Sequence, residues 1–329
     1  MKNFAFLAAA ALIASSATAA PFTQLWYTAA EDPDTNASAV VFFDAANTGQ
    51  QNHERGAAFN PATGKILVAS KFTAARVQVL NANTGAVEGT MDATGITGGG
   101  GGSITKIAVA ADGAIYACNL STSAADFKIY RWANQAAVPT VAYNGATSAR
   151  CGDSFTVTGS GVNTVIYASG SGNANVEVFT TADGSTFTAG TDISLTALTP
   201  ALSAGDARGG LAIRNDNGNL LIREQGDRFH EISLGTTPAI VDSSTASSTI
   251  IGGSFAAFGF YADSGIEVLA AQIGNATPAV GRVWNMTVGL GDLAPIATVE
   301  STPSMGTNAN GNGSGAAFFF VDPVTPTEI

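Results

Sequence analysis

Arg55-Gly-Ala-Ala-Phe-Asn-Pro-Ala-Thr-Gly-Lys-Ile-Leu-Val-Ala-Ser70 reads as an apolar strand led by Arg-Gly, a tight polar turn and a second apolar strand. Arg208-Gly-Gly-Leu-Ala-Ile-Arg-Asn-Asp-Asn-Gly-Asn-Leu-Leu-Ile-Arg223 repeats it down to the opening Arg-Gly. Between them, Lys106-Ile-Ala-Val-Ala-Ala-Asp-Gly-Ala-Ile-Tyr-Ala117 keeps the same rhythm around Asp112-Gly113. Asp-Gly and Asn-Gly pairs supply the positive φ that short hairpins need. A third apolar run follows each copy, so a unit of roughly 45 residues recurs along the chain. This repeat predicts an all-β fold, a β-propeller. A four-stranded blade cannot bury both faces alone and must stack on its neighbours around a ring.

Working outward, inner strands are expected to begin near Arg55, Ile104, Gly152, Arg208, Ala256 and Gly315. Second strands are expected at 66–70, 114–119, 164–169, 220–224 and 266–271, and third strands at 75–81, 127–133, 176–181, 228–234 and 281–287. Fourth strands are expected at 87–92, 140–144, 188–195, 239–243 and 296–301. The sixth unit stops at Pro323 and Pro326 after one strand over 315–321, while 23–28 and 39–44 read as strands near the other end. The two ends are therefore expected to share a blade, which closes the ring and removes its exposed edges. Six blades is the expected number, with seven as the alternative because the units are irregular. Beyond the first twenty residues no stretch holds a 3.6-residue apolar period, so helices should be negligible. The five glycines Gly98 to Gly102 lack the following Lys-Ser/Thr and the helix of a phosphate loop, and read as a connection between blades.

Residues 1–19 carry the marks of a signal peptide: Lys2, an apolar run from Phe4 to Ile13, and Ala17-Thr-Ala19 as the cleavage site. The apolar run is too short to span a bilayer, and no second stretch of membrane length follows. The expectation is a single propeller domain over 20–329, secreted or periplasmic/cell-surface, with no membrane span. Net charge is −11, and loss of Lys2 leaves 13 basic against 25 acidic residues. Such a chain repels a phosphate backbone, so nucleic acid is not an expected partner. Charged residues make up only 12% and hydrophobic residues 46%, enough to fill a core and unlike a disordered chain.

The chain has two cysteines. Cys118 ends one expected strand and Cys151 opens the next unit. In an exported protein an even count predicts a disulfide. Such a bridge would pin adjacent blades and contribute about 3–4 kcal/mol in the chain-entropy model. The alternative is a pair of buried free thiols.

In a propeller the starts of the inner strands line the central channel. Those positions hold Arg55, Lys106, Asp153 and Arg208, with Arg150 just before the third. Converging guanidinium groups can grip a carboxylate or sulfate in bidentate fashion. The structural alternative is that each arginine ties neighbouring strands together through carbonyls or Asp153. Gly152-Asp-Ser154 and Asp227-Arg-Phe-His230 resemble two blocks of the Gly-Asp-Ser-Leu esterases, which would make Ser154 a nucleophile, His230 its base and Asp227 the orienting acid. Against this, the helices of that fold are missing, 146–150 is not an apolar strand, and no Gly-x-Asn-Asp block is present. No catalytic set is therefore assigned. A channel calcium needs oxygen ligands where this chain has Arg and Lys, and His53 and His230 do not make a zinc set. No metal or cofactor is expected. Trp26, Trp132 and Trp284 could stack on sugars but lie in apolar strands, where a core role is the expectation.

Glu54-Arg-Gly-Ala-Ala-Phe-Asn-Pro-Ala-Thr-Gly64, Phe127-Lys-Ile-Tyr-Arg-Trp-Ala133 and Asn308-Ala-Asn-Gly-Asn-Gly-Ser-Gly315 resemble a group of secreted bacterial β-propeller proteins of unknown function. The resemblance covers nearly the whole chain after residue 19. The strand–turn–strand rhythm at Asn81-Ala-Asn-Thr-Gly85 is similar, more loosely, to YVTN-type surface propellers. The resemblance implies the fold and export, and brings no catalytic residues; the chain departs from it at the short, proline-broken C-terminus. The combined expectation is a secreted, non-enzymatic binding or scaffold module for an extracellular glycan, an anion or a surface protein. The alternatives are an extracellular hydrolase or lyase acting on polysaccharides or esters, and a purely structural envelope protein.

Overall fold

The computed structural model describes residues 54–71, 74–224, 228–245, 255–263, 266–273, 280–287, 289–291 and 293–300. They form five antiparallel sheets, each laid down in chain order. The first holds β1 (Glu54–Asn60), β2 (Lys65–Ser70), β3 (Arg76–Asn81) and β4 (Val87–Thr90). The second holds β5 (Gly102–Val109), β6 (Ile115–Leu120), β7 (Phe127–Trp132) and β8 (Thr140–Gly145). The third holds β9 (Ser154–Thr158), β10 (Val165–Ser169), β11 (Asn175–Thr181) and β12 (Phe187–Ala189), with the short β13 (Ile193–Ser194) also on β11. The fourth holds β14 (Leu211–Ile213), β15 (Leu220–Arg223), β16 (Phe229–Ser233) and β17 (Ala239–Ser243). The fifth holds β18 (Phe255–Asp263), β19 (Ile266–Ile273), β20 (Val280–Asn285) and β21 (Ala294–Glu300).

The first strand of each sheet touches the first strand of the next: β1 meets β5, β5 meets β9, β9 meets β14 and β14 meets β18. Sheets arranged this way are the blades of a β-propeller, the fold that the repeat implies. The expected leader (1–19) and the strands expected to close a sixth blade (23–28, 39–44 and 315–321) lie outside the described residues. Among the described residues the only helical segments are short 3₁₀ turns, and no helix is long and apolar enough to cross a membrane.

Hairpin chemistry fixes the registers. Asn60 Oδ1 accepts the Ala62 N–H at 3.0 Å, and Gly64, at φ +67°, returns its N–H to the Asn60 carbonyl at 2.9 Å. Asn81 does the same for the next turn, accepting from Asn83 at 3.0 Å and from Thr84 at 3.2 Å. These local bonds satisfy the backbone where the ladder stops.

Burial follows radius more than it follows strand alternation. Every residue of β6 and β15 is buried, whereas every residue of β4 is exposed. A middle strand is covered on both faces because a neighbouring blade lies on each side. The core is accordingly a series of slabs between blades. One joins Tyr116, Phe127 and Ile129 to Phe155, Ile166 and Phe179; another joins Leu67, Val77 and Val79 to Ile115, Tyr130 and Trp132. Trp132 is fully buried and donates Nε1–H to the Asp92 carbonyl at 2.7 Å. Trp284 is fully buried edge-on to Phe229. Both are core residues, and Trp26 lies outside the described residues.

The five-glycine run connects the first blade to the second. Gly101 donates its N–H to the Leu120 carbonyl at 2.9 Å. Gly100, at φ +55°, lies so close that a Cβ there would overlap the Leu120 carbonyl oxygen. A glycine is required by this backbone contact.

The expected disulfide is corrected: Cys118 and Cys151 are both free, buried thiols. Cys151 pairs with Ser121, three positions past Cys118 along the strand. That offset is roughly 10 Å at about 3.3 Å per residue, while a disulfide needs Cα atoms within about 7 Å. Burial pushes the Cys118 thiol up to about 12, so it stays protonated.

Candidate functional site

The segment leading into β9 is held by its backbone. Gly152 and Asp153 both donate N–H to the Ser169 carbonyl at 3.1 Å. Gly152, at φ +100°, passes so near the Asn119 carbonyl that only a glycine fits. Thr105 Oγ1 donates to the Gly152 carbonyl at 3.2 Å, tying β5 to this segment. On the other side Ser154 Oγ donates to the Ala207 carbonyl at 2.7 Å, tying β9 to the 3₁₀ turn Asp206–Gly209 that precedes β14. Asp153 is thereby fixed between the inner strands of three successive blades.

Around it the structure gathers all five residues singled out from the sequence. Arg150 donates Nε–H and Nη2–H to the two Asp153 oxygens, each at 2.7 Å. Arg55 Nη2 lies 3.6 Å from Asp153 Oδ1, and the Ser171 N–H donates to Asp153 Oδ2 at 2.9 Å. Arg208 donates from Nη1 to Ser171 Oγ at 2.8 Å and feels the charge of both Asp153 and Arg150. Lys106 sits within electrostatic range of Arg55 and Asp153. Depth separates them: Asp153, Arg55 and Lys106 are 5–7% exposed, while the Arg150 side chain is 32% exposed. Four cations thus converge on one carboxylate among the described residues.

The electrostatics of the cluster follow from burial first and from these neighbours second. Burial alone would raise the Asp153 carboxyl, but Arg150, the Ser171 N–H and Arg55 outweigh it and hold it below the usual carboxylate range. Burial, and then the neighbouring Arg55, pull the Lys106 ammonium down to about 8. Burial lowers Arg55 and Arg208, only partly offset by Asp153. Arg150 alone is raised, through its hydrogen bonds to Asp153. Cations this close repel one another, and Asp153 offsets part of that repulsion.

Arg208 lies in the 3₁₀ turn Asp206–Gly209, and β14 starts only at Leu211. The cause is tertiary: Gly209 packs on the Arg223 carbonyl, which holds the chain in a turn where the Arg-Gly repeat suggests a strand. The esterase-like reading is not assembled. Ser154 is 2% exposed with its proton committed to a carbonyl, and His230 shares a 2.7 Å hydrogen bond with Ser243 Oγ instead. Asp227 lies outside the described residues.

Sequence reasoning missed Ser171, Lys71, Asp206 and Glu224. Lys71 reaches the Gly101 carbonyl at 3.0 Å and feels Arg55. Asp206 and Glu224 face each other beside His230. Lys71, Ser171 and Glu224 lie just past the second strand of their blades, where loop lengths differ and the repeat gives no alignment.

No protein-family model matches this chain, and no curated protein matches it. Among solved structures it is similar to a DUF4623 family protein from Bacteroides eggerthii DSM 20697, at 18% identity and TM-score 0.59, over 79% of this chain and 62% of that one. The chain therefore spans less than two thirds of that protein's length. Weaker matches include the WD40 repeats of RRP9 (11% identity, TM-score 0.48, 77% and 82% of the two chains). Another is the PQQ-bound aldose sugar dehydrogenase of Streptomyces coelicolor (16% identity, TM-score 0.42, 74% and 81%). At these identities the likeness is one of fold.

Proposed function

We propose that this protein is an exported binding module whose propeller channel mouth holds an anionic ligand. The observation that carries the reading is the convergence of Arg55, Lys106, Arg150 and Arg208 around the carboxylate of Asp153, in a chain whose net charge is −11. A strongly acidic protein has no general need for a cationic pocket, and this one draws on four successive blades. Its ligand is a carboxylate- or sulfate-bearing extracellular molecule, and its compartment is the one to which the leader-like residues 1–19 point.

The test is a thermal-unfolding titration with sulfate and acetate at constant ionic strength, against a chloride control. An anion at 100 times its dissociation constant should add about 2.7 kcal/mol of stability. Saturable stabilisation that disappears in Arg55→Ala/Arg208→Ala is the expected result. A response no greater than that to chloride overturns the reading.

A further inference from the structure

His230 on β16 and Ser243 on β17 face each other as a cross-strand pair. The ladder is bulged beside them: Glu231 pairs with Asp242 and Ile232 with Ile240, so Val241 is left over. Bulges of this kind re-aim neighbouring side chains. Here Ser243 Oγ lies 2.7 Å from His230 Nδ1. The other ring nitrogen, Nε2, lies 3.4 Å from Glu224 Oε1, just beyond β15, and among the described residues no other acceptor reaches it. His230 is buried, while Ser243 is partly exposed on the outermost strand of its blade.

These contacts decide which nitrogen carries the proton. Glu224, despite burial, is held below the usual carboxylate range by His230 and Arg228, so it is ionised and only accepts. Nε2 therefore carries the hydrogen and points it at Glu224, and Nδ1 presents its lone pair to Ser243. A serine that gives its proton to an imidazole oriented by a carboxylate is an activated nucleophile. The 3.4 Å gap is of the kind that closes when the ring takes up that proton and becomes a cation.

Neighbouring bonds hold the serine in place. Its N–H donates to Asp242 Oδ1 at 2.7 Å, and Asp242 Oδ2 accepts the Leu290 N–H of the fifth blade at 2.6 Å. Ser244 Oγ accepts the Phe229 N–H at 2.9 Å. Asp242 beside the hydroxyl, with Glu224 and Asp206 around the imidazole, makes the surroundings acidic. An anionic ester is repelled there and an uncharged one is not.

We propose that Ser243, His230 and Glu224 form a second site, which hydrolyses uncharged carboxylic esters. Ser243 Oγ bonds to the acyl carbon as the ester C–O bond breaks; the serine proton passes to His230 Nδ1 and on to the departing alkoxide. Water then attacks the acyl-serine by the same relay, releasing the acid and restoring the hydroxyl. Ser243 and His230 are the catalytic residues, and Glu224 positions the imidazole. The site uses none of the residues of the anion cluster and does not depend on that reading.

The experiment treats the whole protein with diisopropyl fluorophosphate, an uncharged probe from which a nucleophilic serine displaces fluoride. Peptide mapping by mass spectrometry is expected to place the adduct on Ser243. His230→Gln should take up the label about 100-fold more slowly, the low end of what a general base contributes. The uncharged ester p-nitrophenyl acetate should be hydrolysed faster by the wild type than by Ser243→Ala. ¹⁵N NMR of histidine-labelled protein reads the tautomer; the chain holds two histidines, so His53→Gln leaves the His230 signal alone. Nε2–H is expected, shifting toward Nδ1–H in Glu224→Leu, a change that a merely structural role would not produce. No adduct, an adduct elsewhere, or Nδ1–H in the wild type overturns the inference. So do equal labelling of His230→Gln and equal ester hydrolysis by Ser243→Ala. The adduct and the wild-type tautomer decide the matter if the variants at 230 and 224 do not fold.

Discussion

Replacing Asp153 with alanine tests whether the five-residue cluster is a frustrated charge assembly. The side chain accepts two hydrogen bonds from Arg150 at 2.7 Å and one from the Ser171 N–H at 2.9 Å, and lies 3.6 Å from Arg55. Its removal deprives Arg55 and Lys106, each 7% exposed, of the carboxylate that offsets their repulsion. Removing one partner of a buried ion pair costs about 3–5 kcal/mol. At about 2 °C per kcal/mol for a chain of this size, the melting temperature should fall by roughly 6–10 °C. The charge argument adds a finer signature. With the Asp153 counter-charge gone, a fixed sulfate concentration should stabilise the variant more than the wild type. In the wild type the native Asp153 carboxyl titrates below its unfolded value of about 3.9. Its contribution is therefore complete above pH 4 and is lost as pH falls through the depressed native value. Differential scanning fluorimetry across sulfate concentration and pH measures all three effects. A loss under 2 °C, or equal sulfate responses in the two proteins, would refute the reasoning.

Lys106 gives a pH dependence of the opposite kind. Its native value near 8 lies below its unfolded 10.5, so the unfolded state holds more protons between them and stability should rise from pH 8 to 10.5, by up to roughly 3 kcal/mol. Chemical denaturation at each pH should show this slope in the wild type and a flatter one in Lys106→Met; identical slopes would count against it. Trp132→Ala empties the slab between the first two blades and leaves the Asp92 carbonyl without its donor, a loss of about 3–5 kcal/mol in urea unfolding. The two cysteines should be silent to a thiol reagent in the native protein and both react once it is unfolded, with no change in melting temperature on adding reductant. A reductant-induced fall would restore the bridge.

The strands were legible because each rests on local chemistry. Asn60-Pro-Ala-Thr-Gly64 and Asp112-Gly113 make their turns with their own side chains and glycines, so the second strands at 66–70 and 114–119 match β2 and β6 to within a residue at each end. The cationic cluster was legible for a related reason: equivalent positions in a ring converge, so Arg55, Lys106, Asp153 and Arg208 could be brought together by counting repeats. Features set by contacts between blades were not legible. Gly209 against the Arg223 carbonyl turns Arg208 out of its expected strand, and the Ser121–Cys151 pairing sets the cysteines out of register. Asp206 and Glu224 come from non-equivalent loops, and neither carries a motif that would flag the other.

The burial of every β6 residue beside the exposure of every β4 residue bears on how damage spreads. A middle strand belongs to two slabs at once, so a lesion there loosens the interfaces on both of its flanks. One on the wholly exposed β4 spares both. The independent element of this ring is then the joint between blades and not the blade itself, as in a chain of nearest-neighbour couplings. Amide exchange should grade in concentric zones, slow through the interior strands and fast at the rim, rather than blade by blade. Sequence drift in such a protein has room at the periphery, and the outermost strands are where a new binding surface could be evolved with least disturbance to the channel.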